Sequence, residues 1–111
     1  MSTEELEFAG DSIKVSGRSI TTEHPIRNAT LRGDKIIVLF EPDSVMGTFQ
    51  NLVCLDLDGR IVWVAELPDT GKEDVYYQMS STDPLVVDSF TSFECEISTE
   101  SGKILRQRFF K

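Results

Sequence analysis

Asp56 and Asp58 flank Leu57 just before a glycine in "DLDG", and they are the first residues in this 111-residue chain whose type and spacing suggest chemistry. Such a fragment can open a calcium loop, which needs further oxygen ligands and a closing glutamate about six residues beyond the glycine. Here Gly59 runs straight into "RIVWVAEL". Asp58-Gly59 therefore reads as a hairpin turn. Glu94 and Glu96, spaced by two, lie on one face of a strand and read as a solvated face rather than a catalytic pair. His24, the single histidine, precedes Pro25 in a loop without a cysteine nearby and reads as a surface residue before a base or ligand. Cys54 and Cys95 each sit inside an apolar run, without metal-ligand spacing. They read as buried free thiols, the alternative being one disulfide between neighbouring strands. Neither a G-x-S-x-G nucleophile motif nor a phosphate-binding glycine loop is present. The expectation is a chain without catalytic residues, cofactor or metal.

One segment reads as functional. Pro42 to Gln50 places Val45, Met46 and Phe49 in a loop beside Glu41 and Asp43. Loops carrying apolar groups that no strand requires are contact sites, with Met and Phe favoured at interfaces. Glu41, Asp43, Val45, Met46 and Phe49 are thus the candidate partner-binding residues, the alternative being a loop folded back to cap the core. Tyr76, Tyr77 and Met79 form a second aromatic patch, read as core on one side.

Charge narrows the partner. The net charge is -8, and Glu41 to Glu100 hold thirteen acids against two bases, Arg60 and Lys72. The last eleven residues carry Lys103, Arg106, Arg108 and Lys111 and no acid. A field of this sign repels nucleic acid phosphates and anionic lipid headgroups and attracts a basic partner. Acidity alone also serves solubility. No apolar run approaches the ~20 residues of a membrane helix, and the acidic start "MSTEELEFAG" is unlike a secretory signal. The chain is expected to be cytoplasmic.

The elements that must position these residues are strands. Val, Ile, Thr and Phe recur in short runs broken by Gly, Pro, Asp and Ser, and no window sustains helical spacing. The pattern predicts strands at Glu5 to Phe8, Ser12 to Ser16, Ser19 to Thr22, Ile26 to Leu31, Lys35 to Glu41, Asn51 to Asp56, Arg60 to Leu67, Asp74 to Ser80, Pro84 to Ser89, Ser92 to Ser98 and Lys103 to Phe110. In the Asn51 to Leu67 hairpin, alternation puts Val53, Leu55, Ile61, Trp63, Ala65 and Leu67 on one face and Leu52, Cys54, Val62 and Val64 on the other. Both faces are apolar, so this hairpin is expected to be sandwiched. The last strand is more polar and suits an edge or an outer position whose long Arg stems cover apolar surface.

A repeat organises the strands. "VCLDL-DGRIVWVAEL" (Val53 to Leu67) aligns with "CEISTESGKILRQRFF" (Cys95 to Phe110), bringing Leu55 onto Ile97, Gly59 onto Gly102, Arg60 onto Lys103 and Ile61 onto Ile104, the glycines being 43 residues apart. Upstream, "KIIVLF" (Lys35 to Phe40) aligns with "PLVVDSF" (Pro84 to Phe90). Each copy reads as four strands, the arithmetic of a propeller blade. The first copy spans residues 26–68 and the second 74–111, with a partial N-terminal hairpin unit at 1–25, all within one domain.

These residues resemble the blade repeats of PQQ-type (quinoprotein-like) β-propellers, in which a strand of the kind "ALD" runs through a "TGK" turn into "ILW". Cys54-Leu55-Asp56, Asp58-Gly59-Arg60 and Ile61-Val62-Trp63 carry the match in the first copy, and Ser101-Gly102-Lys103 with Ile104-Leu105 in the second. The second copy departs by carrying Arg106 where Trp63 stands. The resemblance implies an all-β fold of antiparallel four-stranded blade-like units, forming an incomplete propeller or an open β-sandwich, since two blades and a fraction cannot close a ring of four or more. The family's quinone activity is not implied, because its metal and cofactor residues are absent.

The functional expectation is a non-enzymatic, acidic protein-binding module, of the inhibitor or immunity type, for a basic partner. One alternative is a self-assembling propeller-like scaffold subunit, a homo-oligomer. Another is a small ligand binder or enzyme whose site forms between subunits.

Overall fold

The computed structural model describes residues 6–42, 50–69 and 74–110. Within them the protein is all-β, without α-helix. The strands are β1 (Leu6–Ala9), β2 (Ser12–Val15), β3 (Arg18–Thr21), β4 (Ile26–Arg32), β5 (Lys35–Phe40), β6 (Leu52–Asp56), β7 (Ile61–Val64), β8 (Tyr76–Thr82), β9 (Leu85–Ser89), β10 (Phe93–Ile97) and β11 (Ile104–Phe109). They form three consecutive antiparallel meanders: an N-terminal sheet β1-β2-β3, a middle sheet β4-β5-β6-β7 and a C-terminal sheet β8-β9-β10-β11. The sheets are open, and β11 is an edge strand as its polar pattern suggests. No helix of the described residues is long and apolar enough to cross a membrane.

The sheets stack in three layers because the middle one is apolar on both sides. One side buries Ile26, Ile36, Val38, Phe40, Val53 and Leu55 against Ile13, Val15 and Ile20 of the N-terminal sheet. The other buries Ile37, Leu39, Leu52, Cys54, Trp63 and Ala65 against Tyr76, Leu85, Val87, Cys95 and Ile97 of the C-terminal sheet. A fully buried aliphatic or aromatic side chain contributes roughly 1.5–3 kcal/mol, so these two interfaces hold the stack together.

The β6–β7 hairpin departs from simple alternation. Leu55 pairs with Ile61, but Cys54 pairs with Trp63, so one extra residue, Val62, is inserted in β7. Such a bulge reverses the phase of everything beyond it. Trp63 and Ala65 consequently share a face with Leu52 and Cys54, and Leu67 packs against the same cluster, rather than all three joining Val53 and Leu55. Ile61, Val62 and Val64 are left exposed.

The same device recurs one unit later. Ile97 pairs with Ile104 and Glu96 with Arg106, which inserts Leu105 in β11. First strands match too, with Arg27 inserted in β4 and Tyr77 in β8. The turns also repeat. Gly59 (φ +87°) and Gly102 (φ +76°) both occupy the left-handed region, and each donates its N–H back across the turn, to Asp56 O and Ser98 O. Side chains brace both turns: Asp56 Oδ1 accepts from the N–H groups of Asp58 and Arg60, and Ser98 Oγ from those of Glu100 and Ser101. A Cβ at Gly102 would lie 2.5 Å from Cε3 of Trp63, so the glycine also permits the turn to close onto the preceding sheet.

Asn51 is fully buried between the middle and C-terminal sheets. Its Nδ2 donates to Phe40 O at 2.9 Å and Tyr76 O at 2.6 Å, while its Oδ1 accepts from Tyr76 N at 3.0 Å. One amide therefore satisfies both backbone groups at the start of β8 across the sheet interface.

Candidate functional site

The repeat lets equivalent positions be compared row by row. On the middle sheet, Leu39 pairs with Leu52, and Ile37 with Cys54, which pairs with Trp63. On the C-terminal sheet, Asp88 pairs with Glu94, which pairs with Arg108, and Val86 pairs with Glu96, which pairs with Arg106. The face that the middle sheet buries against its neighbour is thus rebuilt on the C-terminal sheet as a row of charges. Pro84, Val86, Glu94, Glu96, Arg106 and Arg108 line a depression of about 270 Å³ there. Arg106, which breaks the repeat at Trp63, stands on this outward face. Here a tryptophan would meet solvent, and a long arginine stem can cover apolar surface while its head stays wet.

Asp88 is the unusual member. It sits on β9, inside the sheet, next to Val87, which is fully buried in the core on the opposite side. Gln78 faces it from β8 and Glu94 from β10. The residue is only 8% exposed, and its Oδ1 is buried without a hydrogen-bond partner. Burial, and then the charge of Glu94, push its carboxyl above the usual range. Glu94 itself is held by Arg108 at 2.8 Å. Asp74 shows the contrast: it is 3% exposed, and its carboxylate accepts from Val75 N, Thr91 N and Thr91 Oγ1. Buried polar atoms in native structures are overwhelmingly paired, so Asp88 is the exception that needs a reason.

Of the loop residues expected to bind a partner, Glu41 is described and Asp43, Val45, Met46 and Phe49 lie outside the described residues. Glu41 is half-buried, its N–H donates to Pro25 O, and its Oε1 accepts from Arg27 Nη1 at 2.9 Å. It is part of the β4–β5 frame. Asp56 is engaged in bracing its turn, and Asp58 forms an ion pair with Arg18 that ties the turn to the N-terminal sheet. His24 is half-buried and packs edge-on against Phe40. Cys54 and Cys95 are buried free thiols, as expected. Burial raises both, Cys95 to about 11, which leaves little thiolate to act as a nucleophile. Tyr76 is raised further by burial, and its hydroxyl donates to Glu66 O. A cleft between the N-terminal and middle sheets, lined by Thr21, Thr22, Glu23, Phe40, Val53, Leu55, Gly59 and Ile61, encloses only about 90 Å³. Small-molecule sites are typically about 300–1,000 Å³.

Sequence reasoning passed over Asp88, treating it as one acid among many. The signal was present in the alignment of "KIIVLF" with "PLVVDSF", which sets Asp88 beneath Leu39. Residues 3–109 match the family model described as "Domain of unknown function (DUF7957)". The chain belongs to that family. No curated protein matches the chain. No solved structure matches it. The DUF7957 match spans all three sheets and includes both the capped turns and the charged outward face.

Proposed function

We propose that the protein is a non-enzymatic binding module that engages a basic protein, in the manner of an inhibitor that masks its partner's charge. The observation that carries this reading is the segregation of charge: thirteen acids against two bases between Glu41 and Glu100, including the buried carboxyl of Asp88. The suppressed thiols of Cys54 and Cys95 and the small cleft volumes support binding rather than catalysis. Two free thiols also suit a cytoplasmic, reducing setting.

The competing reading is a scaffold subunit whose copies stack into a ring of PQQ-type blades. It requires the two outermost sheet faces to be buried against further sheets. The C-terminal one carries Glu94, Glu96, Arg106 and Arg108. The N-terminal one carries Glu7 and Lys14, which pair with each other and alternate with the inward Ile13 and Val15. Both ends are polar, the pattern of capping units, which favours a monomer with a partner of another kind.

Light scattering at micromolar concentration is expected to give the 12.5 kDa monomer. Partners recovered on the immobilised protein from its native cell should then be purified and their affinity measured at low and high salt. A basic protein whose binding weakens steeply with salt is the expected result. A stable ring, or a partner indifferent to salt, would overturn the reading.

A further inference from the structure

The outward face of the C-terminal sheet combines three features that its counterpart on the middle sheet lacks. Asp88 shares the outward row of Gln78 and Glu94 and is more than nine-tenths buried beneath that face, and its buried Oδ1 has no hydrogen-bond partner. The charges are graded across the rows, from the carboxyls of Asp88, Glu94 and Glu96 on β9 and β10 to the guanidinium groups of Arg106 and Arg108 on β11. Beyond Asp88, the exposed ring of Phe90 stacks on Tyr77, with centroids 5.4 Å apart and planes 14° apart. Tyr77 is the inserted residue of β8, between the Tyr76–Ser89 and Gln78–Asp88 pairs, so the aromatic pair adjoins Asp88 in the register.

We propose that this face is a receptor for an arginine side chain of a protein partner, with Asp88 as the acceptor of its guanidinium. The proposal rests on the basic-partner reading above and names the place where that partner docks. A buried carboxylate without a donor costs stability, and the group that removes that cost is a cation with N–H donors. A guanidinium supplies two parallel donors to a carboxylate and a flat face for aromatic rings, which an ammonium does not. Glu94 is already occupied by Arg108, leaving Asp88 as the unsatisfied member of its row. The basic β11 edge repels a second cation, so a partner segment that is basic over β9 and neutral or acidic over β11 fits in one orientation.

The test is titration of the uniformly 15N-labelled protein with a blocked tetra-arginine peptide at low salt, followed by amide chemical shifts. Saturable shifts centred on Val86 to Phe90, Glu94 and Glu96 are expected. Asp88→Asn keeps the shape of the side chain and should fold at least as well, which its melting temperature checks. It should weaken peptide binding by about tenfold or more, since removing one partner of a desolvated charge pair has effects of that order. Asp69→Asn, at an exposed acid outside this face, should change affinity less than about twofold, as expected for an exposed charge. Saturable binding with shifts centred elsewhere, or equal losses in the two variants, overturns this site while leaving the basic-partner reading standing. No binding of the peptide at low salt removes both.

Discussion

Two faces of this protein occupy the same place in the repeat and have opposite fates. On the middle sheet, Leu39, Leu52, Cys54, Trp63 and Ala65 are buried against the next sheet. On the C-terminal sheet the matching strands present Asp88, Glu94, Glu96, Arg106 and Arg108 outward. The bulges at Arg27 and Tyr77 and at Val62 and Leu105 recur in both units, as do the left-handed glycines of the turns, although β8 carries a further bulge at Ser80, so the shared backbone does not decide which face is covered. Side-chain chemistry does. Successive units stack on equivalent faces, and among the described residues the charged face is left open, because covering it with another sheet would strip water from carboxylates and guanidinium groups without apolar gain.

The largest test of this comparison exchanges its two most different residues. Trp63 is 7% exposed, and its indole N–H donates to Thr99 O at 3.0 Å. Trp63→Ala should cost about 3–5 kcal/mol, and Trp63→Arg more, since it buries a charge in place of the ring. The reciprocal changes at the exposed partner position, Arg106→Ala and Arg106→Trp, should stay within about 1 kcal/mol. Urea unfolding measures all four. Comparable losses at positions 63 and 106 would mean that the two faces are not energetically distinct.

A second test removes the polar pin on the covered side. Asn51→Ala leaves the N–H and carbonyl of Tyr76 buried without their partner, a loss of about 2–3 kcal/mol. Gln78→Ala, beside Asp88 on the open face, should change stability by no more than about 0.5 kcal/mol because Gln78 is exposed. The contrast again lies between an interface and a surface.

The third test uses pH. The Asp88 carboxyl is raised above its ordinary value near 3.8 by burial and by Glu94, while Arg108 lies one residue further along the row and Glu96 on the next. The folded state therefore holds its proton more tightly than the unfolded state. This group's contribution to stability is most favourable below 3.8 and declines as pH rises from there through the folded value. Asp88→Asn abolishes that decline, so the variant should melt higher than wild type at neutral pH and the difference should vanish in acid. A variant less stable than wild type at neutral pH would show that Asp88 has a donor after all.

Much of this arrangement could be read from residues, and the parts that could not have identifiable causes. The all-β class follows from short β-branched runs between turn residues, and the edge position of β11 from its polar alternation. The alignment through Gly59 and Gly102 anticipates the pairing register down to Leu55 and Ile97. The faces of the β6–β7 hairpin were misassigned because a bulge adds one residue without any mark in composition: Val62 looks like any strand valine. Asn51 gave no signal because its partners lie at Phe40 and Tyr76, and polar bonds across sheets leave no local pattern. Asp88 was legible only against Leu39, where an apolar position in one unit becomes an acid in the next.

The smallest expected effect is also the one that divides stability from recognition most cleanly. Arg108 is 68% exposed on its side chain, and its pair with Glu94 is a surface pair, so Arg108→Ala should change unfolding stability by no more than about 0.5 kcal/mol. The same change frees Glu94 and removes a cation from the row that ends at Asp88. The local potential becomes more negative, and affinity for the tetra-arginine peptide should rise, by about twofold at low salt and less at high salt. A fall in affinity would mean that the Arg108–Glu94 pair holds the acidic row in its binding geometry, and that ordering of Glu94 outweighs the repulsion between Arg108 and the peptide. A loss of stability comparable to that of Trp63→Ala would instead mean that the charged rows hold the sheet together, and that the two faces differ in composition but not in role.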